Sequence, residues 1–493
     1  MPMDEMPGMS GRTQCLVLAA FCSLVILLLM TLIPWQSAVM FGGDEGFEFT
    51  KAYLVHQGIS LYEPIWNDQP PLHTIITALA FGWLGPEVAT SRLVAFGFAF
   101  LYLWVLGCLI ARDAGWLAGI VGILFALSSP GTLELCVSSM LEVPAMAGGL
   151  ASALVLTTGE RTKSLWRCVF SGVVMGLACQ TKLTAVVVLP AILMSLTWEC
   201  VTPKQNIPWR YIVKCVGGFM VGMVGSFCLV WAFFPAMSYE LIWGTHFLEG
   251  VSDGTKRVAH FAFNPVVFLE HPEAVVGVVI GVVGLLLKKR RILFPAVLLI
   301  TVLVVHFVHR PYWSYYYLHF VAPFSWIVAV GMAAFLRGLF SLTGLKSWKA
   351  KAVAGIQVLA VSLVVALIVV EGGSRVYGEV ERLSEAERVG ENKMIQILKQ
   401  KRDTTEWMYT KRTVLAFHAG IRVIPELAIV PKKRYWAYGF NDKVKFEYLR
   451  RYEPELLLLT RRELNDGTFA GFLEKYRKVA ELRSLTLFEI NEP

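Results

Sequence analysis

Long runs of apolar residues, separated by short polar segments, dominate the first three quarters of the chain. A helix that crosses a membrane needs about 20 mostly apolar residues. Eleven segments approach that length, and each predicts a membrane-spanning helix. They are Cys15–Pro34, Val88–Ala111, Trp116–Leu133, Met140–Thr157, Trp166–Thr181, Leu183–Trp198, Tyr211–Pro235, Glu273–Leu287, Ile292–His309, Leu318–Leu336 and Val353–Val370. The pattern therefore predicts a polytopic α-helical membrane protein with about 11 transmembrane helices.

Composition and charge agree with a membrane protein. Only 17% of the 493 residues are charged and 56% are hydrophobic, whereas soluble domains average about 25% charged residues. Lys and Arg are concentrated in alternate loops, for example at positions 288–291. Such loops face the cytoplasm, which predicts a cytoplasmic N-terminus and an extracytoplasmic C-terminus. The net charge of +8 is explained by this asymmetry and does not indicate nucleic-acid binding.

The first polar region is a loop at 35–87, predicted to lie outside the cytoplasm. The stretch EGFEFTKAYLVHQG predicts a short amphipathic helix that Gly58 ends. The stretch NDQPPLHTIITALAFGWLG predicts a second helix, with Asp68 as its N-cap and Gly85 as its stop. Both are too short to span a membrane, so we expect them to lie along the interface.

The second region outside the membrane is the loop Ala236–Pro272. The third is the tail, 371–493, which we expect to form a small soluble extracytoplasmic α/β domain beyond a membrane domain at 1–370. The stretches ERLSEAERVGENKMIQILKQK and FAGFLEKYRKVAEL have helical patterns. The runs TVLAF, ELLLLT and LTLFEI resemble strands.

Two adjacent carboxylates, Asp44 and Glu45, follow the first predicted helix in the stretch FGGDEGFEF. The simplest interpretation is a solvated acidic pair. Their position beneath two interfacial helices favours partial burial instead. Burial raises the pKa of a carboxylate toward the working pH, which suits a general base.

Further acidic and polar candidates lie nearby along the chain. Asp68 and His73 belong to WNDQPPLH, for which a helix start is the simpler explanation. Glu142 lies at the outer end of the fourth predicted helix. A carboxylate at the centre of a span costs about 3 kcal/mol and costs less at its end. A snorkelling role and a functional role are therefore both open for Glu142.

Two cations occupy the side of the membrane where cations are rare. Lys182 lies between the fifth and sixth predicted helices, on the outer side, and lysine binds phosphate as a point charge. Arg310 is the second residue of the aromatic run HRPYWSYYYLH, which also contains Tyr315, Tyr316 and His319. An aromatic belt explains the tyrosines but not Arg310. Acidic groups beside such cations suit transfer of a group from a phosphate to a hydroxyl.

These residues also carry a family resemblance. The outward DE pair, QPPLHTIITALAFGWLG, TSRLVAFGFAF, SGVVMGLACQTKLTAVVVLP and YWSYYYLHFVAPF resemble the GT-C class of lipid-dependent glycosyltransferases. Within that class the chain is most similar to glycosyltransferase family 39, the protein mannosyltransferase-like group, and to the bacterial aminoarabinose transferases that modify lipid A. The resemblance covers the chain from the first to about the tenth predicted helix.

The resemblance implies an enzyme of the bacterial cytoplasmic (inner) membrane that uses a polyprenyl-phosphate sugar donor and inverts the sugar carbon. It implies Asp44 as the catalytic base, with Glu45 beside it. The family often has Lys where this chain has Gln69, which shifts the donor phosphate toward Lys182 and Arg310. The substrate pocket would be formed by Asp68, His73, Glu142, Tyr315, Tyr316 and His319.

The remaining partners stay open at this stage. The acceptor could be a protein, a lipid-linked glycan or a lipopolysaccharide core. Some relatives bind a divalent metal, and Glu45, His73, His246 and His260 are possible ligands here. No spacing signature supports a metal site, so we predict none.

Two other function classes compete with an enzyme. A secondary transporter predicts ionisable residues near the middle of the membrane and inverted repeats. In this sequence the ionisable residues gather at the outer ends of the predicted helices, and no strong repeat is visible. A non-catalytic membrane scaffold predicts no loss of activity when Asp44 is changed.

Overall fold

A computed structural model describes residues 9–157, 164–201, 208–244, 262–268, 271–286, 293–309, 312–342, 348–386, 389–431, 434–435 and 440–491. Helices form most of this part of the chain. Helices α1 to α10 are Gly11–Leu32, Glu45–His56, Leu72–Leu84, Val88–Ala114, Trp116–Ser128, Thr132–Val137, Glu142–Thr157, Leu165–Thr181, Leu189–Val201 and Trp209–Ala232. Helices α11 to α19 are Pro272–Leu286, Leu293–Val308, Leu318–Leu342, Trp348–Leu367, Gly373–Ser384, Val389–Gln400, Thr413–Ala419, Asp442–Tyr452 and Arg461–Asn465.

A helix lies in each of the eleven apolar segments that predicted one. Within the described ranges, four helical segments are long and apolar enough to cross a membrane unaided. They are Gly11–Leu32, Val88–Ala114, Trp209–Ala232 and Ser314–Ala334. On α1, Leu24, Leu27 and Leu28 are at least half exposed, as expected for a surface that contacts lipid. The number of crossings and their orientation stay predictions.

The loop 35–87 contains the two short helices that its pattern predicted, α2 and α3. Gly58 follows α2 with a φ of 85°, a left-handed conformation that glycine adopts at little cost. Gly85 ends α3 with a φ of 92°. Asp68 does not cap α3, contrary to our expectation, because the helix begins only at Leu72, after the two prolines. On α3, Trp83 is 85% exposed, which is compatible with an interfacial helix.

Helices α8 and α10 cross in direct backbone contact. A Cβ atom on Gly172 would collide with the carbonyl oxygen of Phe219, and a Cβ on Gly222 would collide with that of Val169. Glycine is therefore required at both positions for this crossing. The close packing fixes α8, whose C-cap residue is Lys182.

The tail contains a four-stranded mixed sheet. Its strands are β1 (Met408–Thr410), β2 (Leu456–Thr460), β3 (Tyr476–Leu482) and β4 (Leu485–Ile490), in the order β1-β2-β4-β3. Strand β1 is parallel to β2, and β4 is antiparallel to both β2 and β3. The runs ELLLLT and LTLFEI are therefore strands, as predicted.

Two local predictions in the tail are wrong. The run TVLAF is helical and belongs to α17, which Gly420 ends in a left-handed conformation with a φ of 71°. The second half of FAGFLEKYRKVAEL forms β3, because pairing with β4 along a hairpin outweighs its helical pattern. The tail contains both helices and strands, while a separate α/β domain and its boundary at 370/371 stay predictions.

The tail packs directly on the loop that follows α1. The ring of Phe417 stacks on Phe49 of α2 at 5.4 Å and on Phe81 of α3 at 5.6 Å between centroids. The Tyr53 hydroxyl donates a hydrogen bond to the Gly420 carbonyl at 3.2 Å. The two short helices and the tail therefore share one hydrophobic core.

Candidate functional site

A cavity of about 1000 Å³ lies where the first loop, the ends of several membrane helices and the tail meet. The tail contributes Ile429, Val430 and Pro431 to its wall. Many of the other lining residues are charged, polar or aromatic. They include Asp44, Glu48, Lys51, Asp68, Gln69, Glu134, Glu142, Lys182, His271, His309, Tyr312, Trp313, Tyr315, Tyr316 and Tyr317.

Asp44 is the residue immediately before α2 and faces this cavity. Although it stands at the N-cap position, its side chain makes no capping hydrogen bond. The Asp44 side chain is exposed to solvent within the cavity, while the walls of the cavity crowd protein atoms around it. Burial raises the pKa of Asp44 above its ordinary value, the charge of Glu142 raises it further, and Lys182 partly opposes the rise. A carboxylate with a raised pKa accepts protons more readily, which a general base requires.

Glu45 points away from the cavity, unlike its neighbour Asp44. Its carboxylate accepts hydrogen bonds from the Arg92 guanidinium at 3.0 and 2.9 Å. The backbone N–H groups of Phe41 and Ser139 donate to it as well, at 2.7 and 3.1 Å. Glu45 is wholly buried. The predicted catalytic pair therefore separates: Asp44 faces the cavity, and Glu45 holds the loop in place.

Lys182 enters the cavity from the end of α8. It forms an ion pair with Glu142, at the start of α7. Its ammonium lies 5.0 and 5.3 Å from the ring centroids of Tyr315 and Tyr316, distances that favour cation–π attraction. These four side chains, predicted from separate motifs, thus form one cluster.

The two predicted histidines lie behind the cavity wall. The Nδ1 of His319 and the Nε2 of His306 share a hydrogen bond at 3.0 Å. The ring of His319 also stacks on the ring of Tyr316. His73 is 1% exposed, with Nδ1 at 3.9 Å from Glu48 Oε2. Neither belongs to the described lining of the cavity. Each contacts a residue that does line it, His73 near Glu48 and His319 against Tyr316, and their role in a substrate pocket stays a prediction.

Of the remaining predicted residues, Asp68 and Gln69 do line the cavity. Arg310 lies outside the described residues, so its predicted role stays a prediction. Its neighbours His309 and Tyr312 are part of the cavity wall.

Two cavity residues on α2, Glu48 and Lys51, were missed by the sequence analysis. Together with Asp44 they occur at intervals of four and three residues, which places all three on one face of a helix. The Lys51 ammonium donates to Glu48 Oε1 at 2.7 Å and to Asn67 Oδ1 at 3.0 Å. Their helical spacing was the signal available in the sequence.

A metal ion finds little support in this geometry. Among residues that the structure describes, no three His, Cys, Asp or Glu side chains are grouped to hold one. Glu45 is occupied by Arg92 and two backbone donors. His73 lies behind the wall, and His246 and His260 lie outside the described residues.

Solved structures share this fold. ArnT of Cupriavidus metallidurans in the apo state superposes with a TM-score of 0.64 at 16% identity, covering 97% of this chain and 98% of ArnT. The structure of the same protein bound to undecaprenyl phosphate has a TM-score of 0.60 at 15% identity, and the match covers 95% of this chain and 97% of ArnT. The apo oligosaccharyltransferase of Archaeoglobus fulgidus has a TM-score of 0.50 at 10% identity, and the match covers 94% of this chain and 73% of the oligosaccharyltransferase.

No protein-family model matches the chain, and no curated protein matches its sequence. At the identities above, the structural similarity establishes the fold. This similarity and the long apolar helices together identify the chain as an integral membrane protein.

Proposed function

We propose that this membrane protein, which has the fold of the GT-C glycosyltransferases, transfers a sugar from a polyprenyl-phosphate donor to an acceptor hydroxyl. The observation that carries the proposal is that Asp44, with its raised pKa, and the cation Lys182 line the same cavity. The similarity to an ArnT structure bound to undecaprenyl phosphate supports a lipid phosphate as the leaving group.

In the proposed reaction, Asp44 accepts the proton of the acceptor hydroxyl. The acceptor oxygen forms a bond to the anomeric carbon of the sugar. The bond from that carbon to the phosphate oxygen breaks, and its electron pair leaves with the lipid phosphate. Because attack and departure occur on opposite sides of the carbon, the product has inverted configuration.

Lys182 stabilises the negative charge that develops on the departing phosphate. Its pairing with Glu142 and its contacts with Tyr315 and Tyr316 hold the ammonium at a fixed place in the wall. Such fixed cations stabilise a transition state at no further cost of reorganisation. Arg310, on the sequence argument, is the second candidate for this role.

The proposal also includes a location and a topology. We infer a bacterial cytoplasmic (inner) membrane with the cavity and the tail on the outer side and the N-terminus inside. The acceptor would then be a protein, a lipid-linked glycan or a lipopolysaccharide core. The tail wall at Ile429–Pro431 would contact whichever acceptor enters.

The test compares cell-envelope glycans, by mass spectrometry, in cells with the gene, without it, and with Asp44→Asn. We expect one sugar modification to disappear in the deletion strain and in the Asp44→Asn strain. A control strain that carries Glu87→Gln should keep the modification. Glu87 is an exposed carboxylate of the same loop outside the described cavity lining. With purified protein, transfer should fall about 10²- to 10⁴-fold in Asp44→Asn, the usual contribution of a general base.

A transporter or a scaffold gives a different result. If Asp44→Asn inserts into the membrane normally and the sugar is still attached at the normal rate, Asp44 is not the base. If deletion of the gene changes no envelope glycan, sugar transfer is not the activity.

A further inference from the structure

Lys51 is a buried lysine that faces the cavity from α2. It is 2% exposed, and lysine is rarely buried to this extent without a partner. Its ammonium donates to Glu48 at 2.7 Å and to Asn67 at 3.0 Å. An ammonium group has three N–H donors. Within the described part of the chain the third donor has no protein acceptor, and Lys51 lines the cavity.

Asn67 fixes the position of this ammonium relative to the following loop. While its Oδ1 accepts from Lys51, its Nδ2 donates to the carbonyl of Gln69 at 2.7 Å. One side chain therefore ties Lys51 to the segment that carries Asp68 and Gln69. Lys51 thus supplies a positive charge beside a loop segment whose own side chain at 69 is neutral.

Glu48, the counter-charge of Lys51, is poorly satisfied. Its second oxygen, Oε2, has no hydrogen-bond partner among the described residues and lies 3.9 Å from His73 Nδ1. Burial raises the pKa of Glu48, and Lys51 opposes this effect. An anion arriving at Lys51 would compete with Glu48 for the ammonium group, and its negative charge would raise the pKa of this buried carboxyl group further.

We propose that Lys51 binds the phosphate of the lipid donor, together with Lys182, which lines the same cavity. The inference rests on the proposed function, since it concerns the same donor. It assigns the phosphate to two separate elements, the α2 face and the end of α8. Lys51 acts here as a binding residue, and the acid–base step stays with Asp44.

The experiment measures the affinity of the purified full-length protein for two lipids that differ only in charge, undecaprenyl phosphate and undecaprenol. The variants are Lys51→Met, which removes the charge, and Lys51→Arg, which keeps it. The matched control is Lys445→Met. Lys445 is also buried and pairs with an acid three positions away, Asp442, at 2.7 Å, but it lies outside the described cavity lining.

We expect the wild type to prefer the phosphate. Lys51→Met should weaken phosphate binding about tenfold and leave undecaprenol binding unchanged, while Lys51→Arg retains most of the preference. Lys445→Met should change neither affinity. If Lys51→Met does not fold, the double variant Glu48→Gln/Lys51→Met removes both charges, and the same loss of preference is expected.

Two results would overturn the proposal in distinguishable ways. In the first, the wild type prefers undecaprenyl phosphate, and Lys51→Met either keeps that preference or lowers the affinity for both lipids equally. Lys51 then does not bind phosphate, and the proposed function stands. If the wild type itself does not distinguish the two lipids, the lipid-phosphate donor is wrong, and the assignment of Lys51 fails with it.

Discussion

Arg92 and Glu45 form a fully buried ion pair with two hydrogen bonds, at 3.0 and 2.9 Å. The same guanidinium donates to the carbonyl groups of Trp35 and Ala38, both at 2.8 Å. It thereby joins the start of α4 to the segment between α1 and α2. Asp44, adjacent to Glu45, is held in place by this connection.

We predict that Arg92→Met destabilises the protein by about 3 to 5 kcal/mol, because it leaves the Glu45 carboxylate buried without its partner. Thermal unfolding in detergent or nanodiscs, followed by loss of monodisperse protein, measures the effect. Asp44→Asn is the control, and its unfolding midpoint should remain close to that of the wild type. Equal losses of stability in both variants would contradict the separation of roles between Asp44 and Glu45.

The pH dependence of sugar transfer should report the pKa of Asp44. The base must be deprotonated, so activity falls as the pH falls through that pKa. Burial and the charge of Glu142 raise the pKa of Asp44. The acid limb of kcat/KM should therefore lie above the ordinary aspartate value of about 3.9.

Glu142→Gln should shift this acid limb to lower pH. The change removes a negative charge that raises the pKa of Asp44, and it leaves the opposing charge of Lys182 without its counter-ion. The control is Glu134→Gln, at another cavity residue whose carboxylate pairs with Arg382 at 2.7 Å. The prediction is wrong if the limb stays in place in Glu142→Gln, or moves equally in Glu134→Gln.

Lys182 can be tested separately from the stability of its ion pair. Lys182→Met leaves Glu142 buried and unpaired, so we expect both unfolding temperature and transfer rate to fall. The double variant Glu142→Gln/Lys182→Met should regain stability, because no charge is left alone. Its rate should remain lower by about 10²-fold or more, as when a donor to a developing negative charge is removed. Recovery of rate along with stability would reduce Lys182 to a structural residue.

The crossing of α8 and α10 predicts that two glycine-to-alanine substitutions on α10 change the stability of the protein in opposite directions. Gly222→Ala places a methyl group against the carbonyl of Val169 and should cost about 1 to 3 kcal/mol. Gly225→Ala, three residues along, meets nothing within 4 Å and should stabilise α10 by up to about 1 kcal/mol through helix propensity. Unfolding temperatures of the two variants measure this difference, and equal shifts would contradict the close crossing.

The sequence predicted best what depends on a residue and its near neighbours. Apolar segments form helices because lipid or a protein core surrounds them, so their backbone polar groups must hydrogen-bond within the segment. This requirement does not depend on which other helices they contact. Lys182 was recognisable because its charge interrupts such segments on the side that the sequence predicts to be the outer one. The resemblance to GT-C glycosyltransferases is confirmed at the level of the fold.

Long-range relationships were not predictable in this way. Glu45 looked like a partner of Asp44, yet its partner is Arg92, which lies 47 positions away. Asp68 has the right residue type for an N-cap, but the prolines that follow delay the helix to Leu72. Lys51 carried the signal of helical spacing, although nothing local shows which face of α2 meets the cavity.

The stacking of Phe417 between α2 and α3, and the wall supplied by Ile429–Pro431, have a consequence for biosynthesis. The apolar helices precede these residues in the chain, the last of them, α14, ending at Leu367, so they are synthesised first. Until then the two short helices of the first loop lack the aromatic ring that packs between them. We therefore expect a newly made chain to become competent only late in translation, so that nascent chains stalled before position 417 are inserted but inactive.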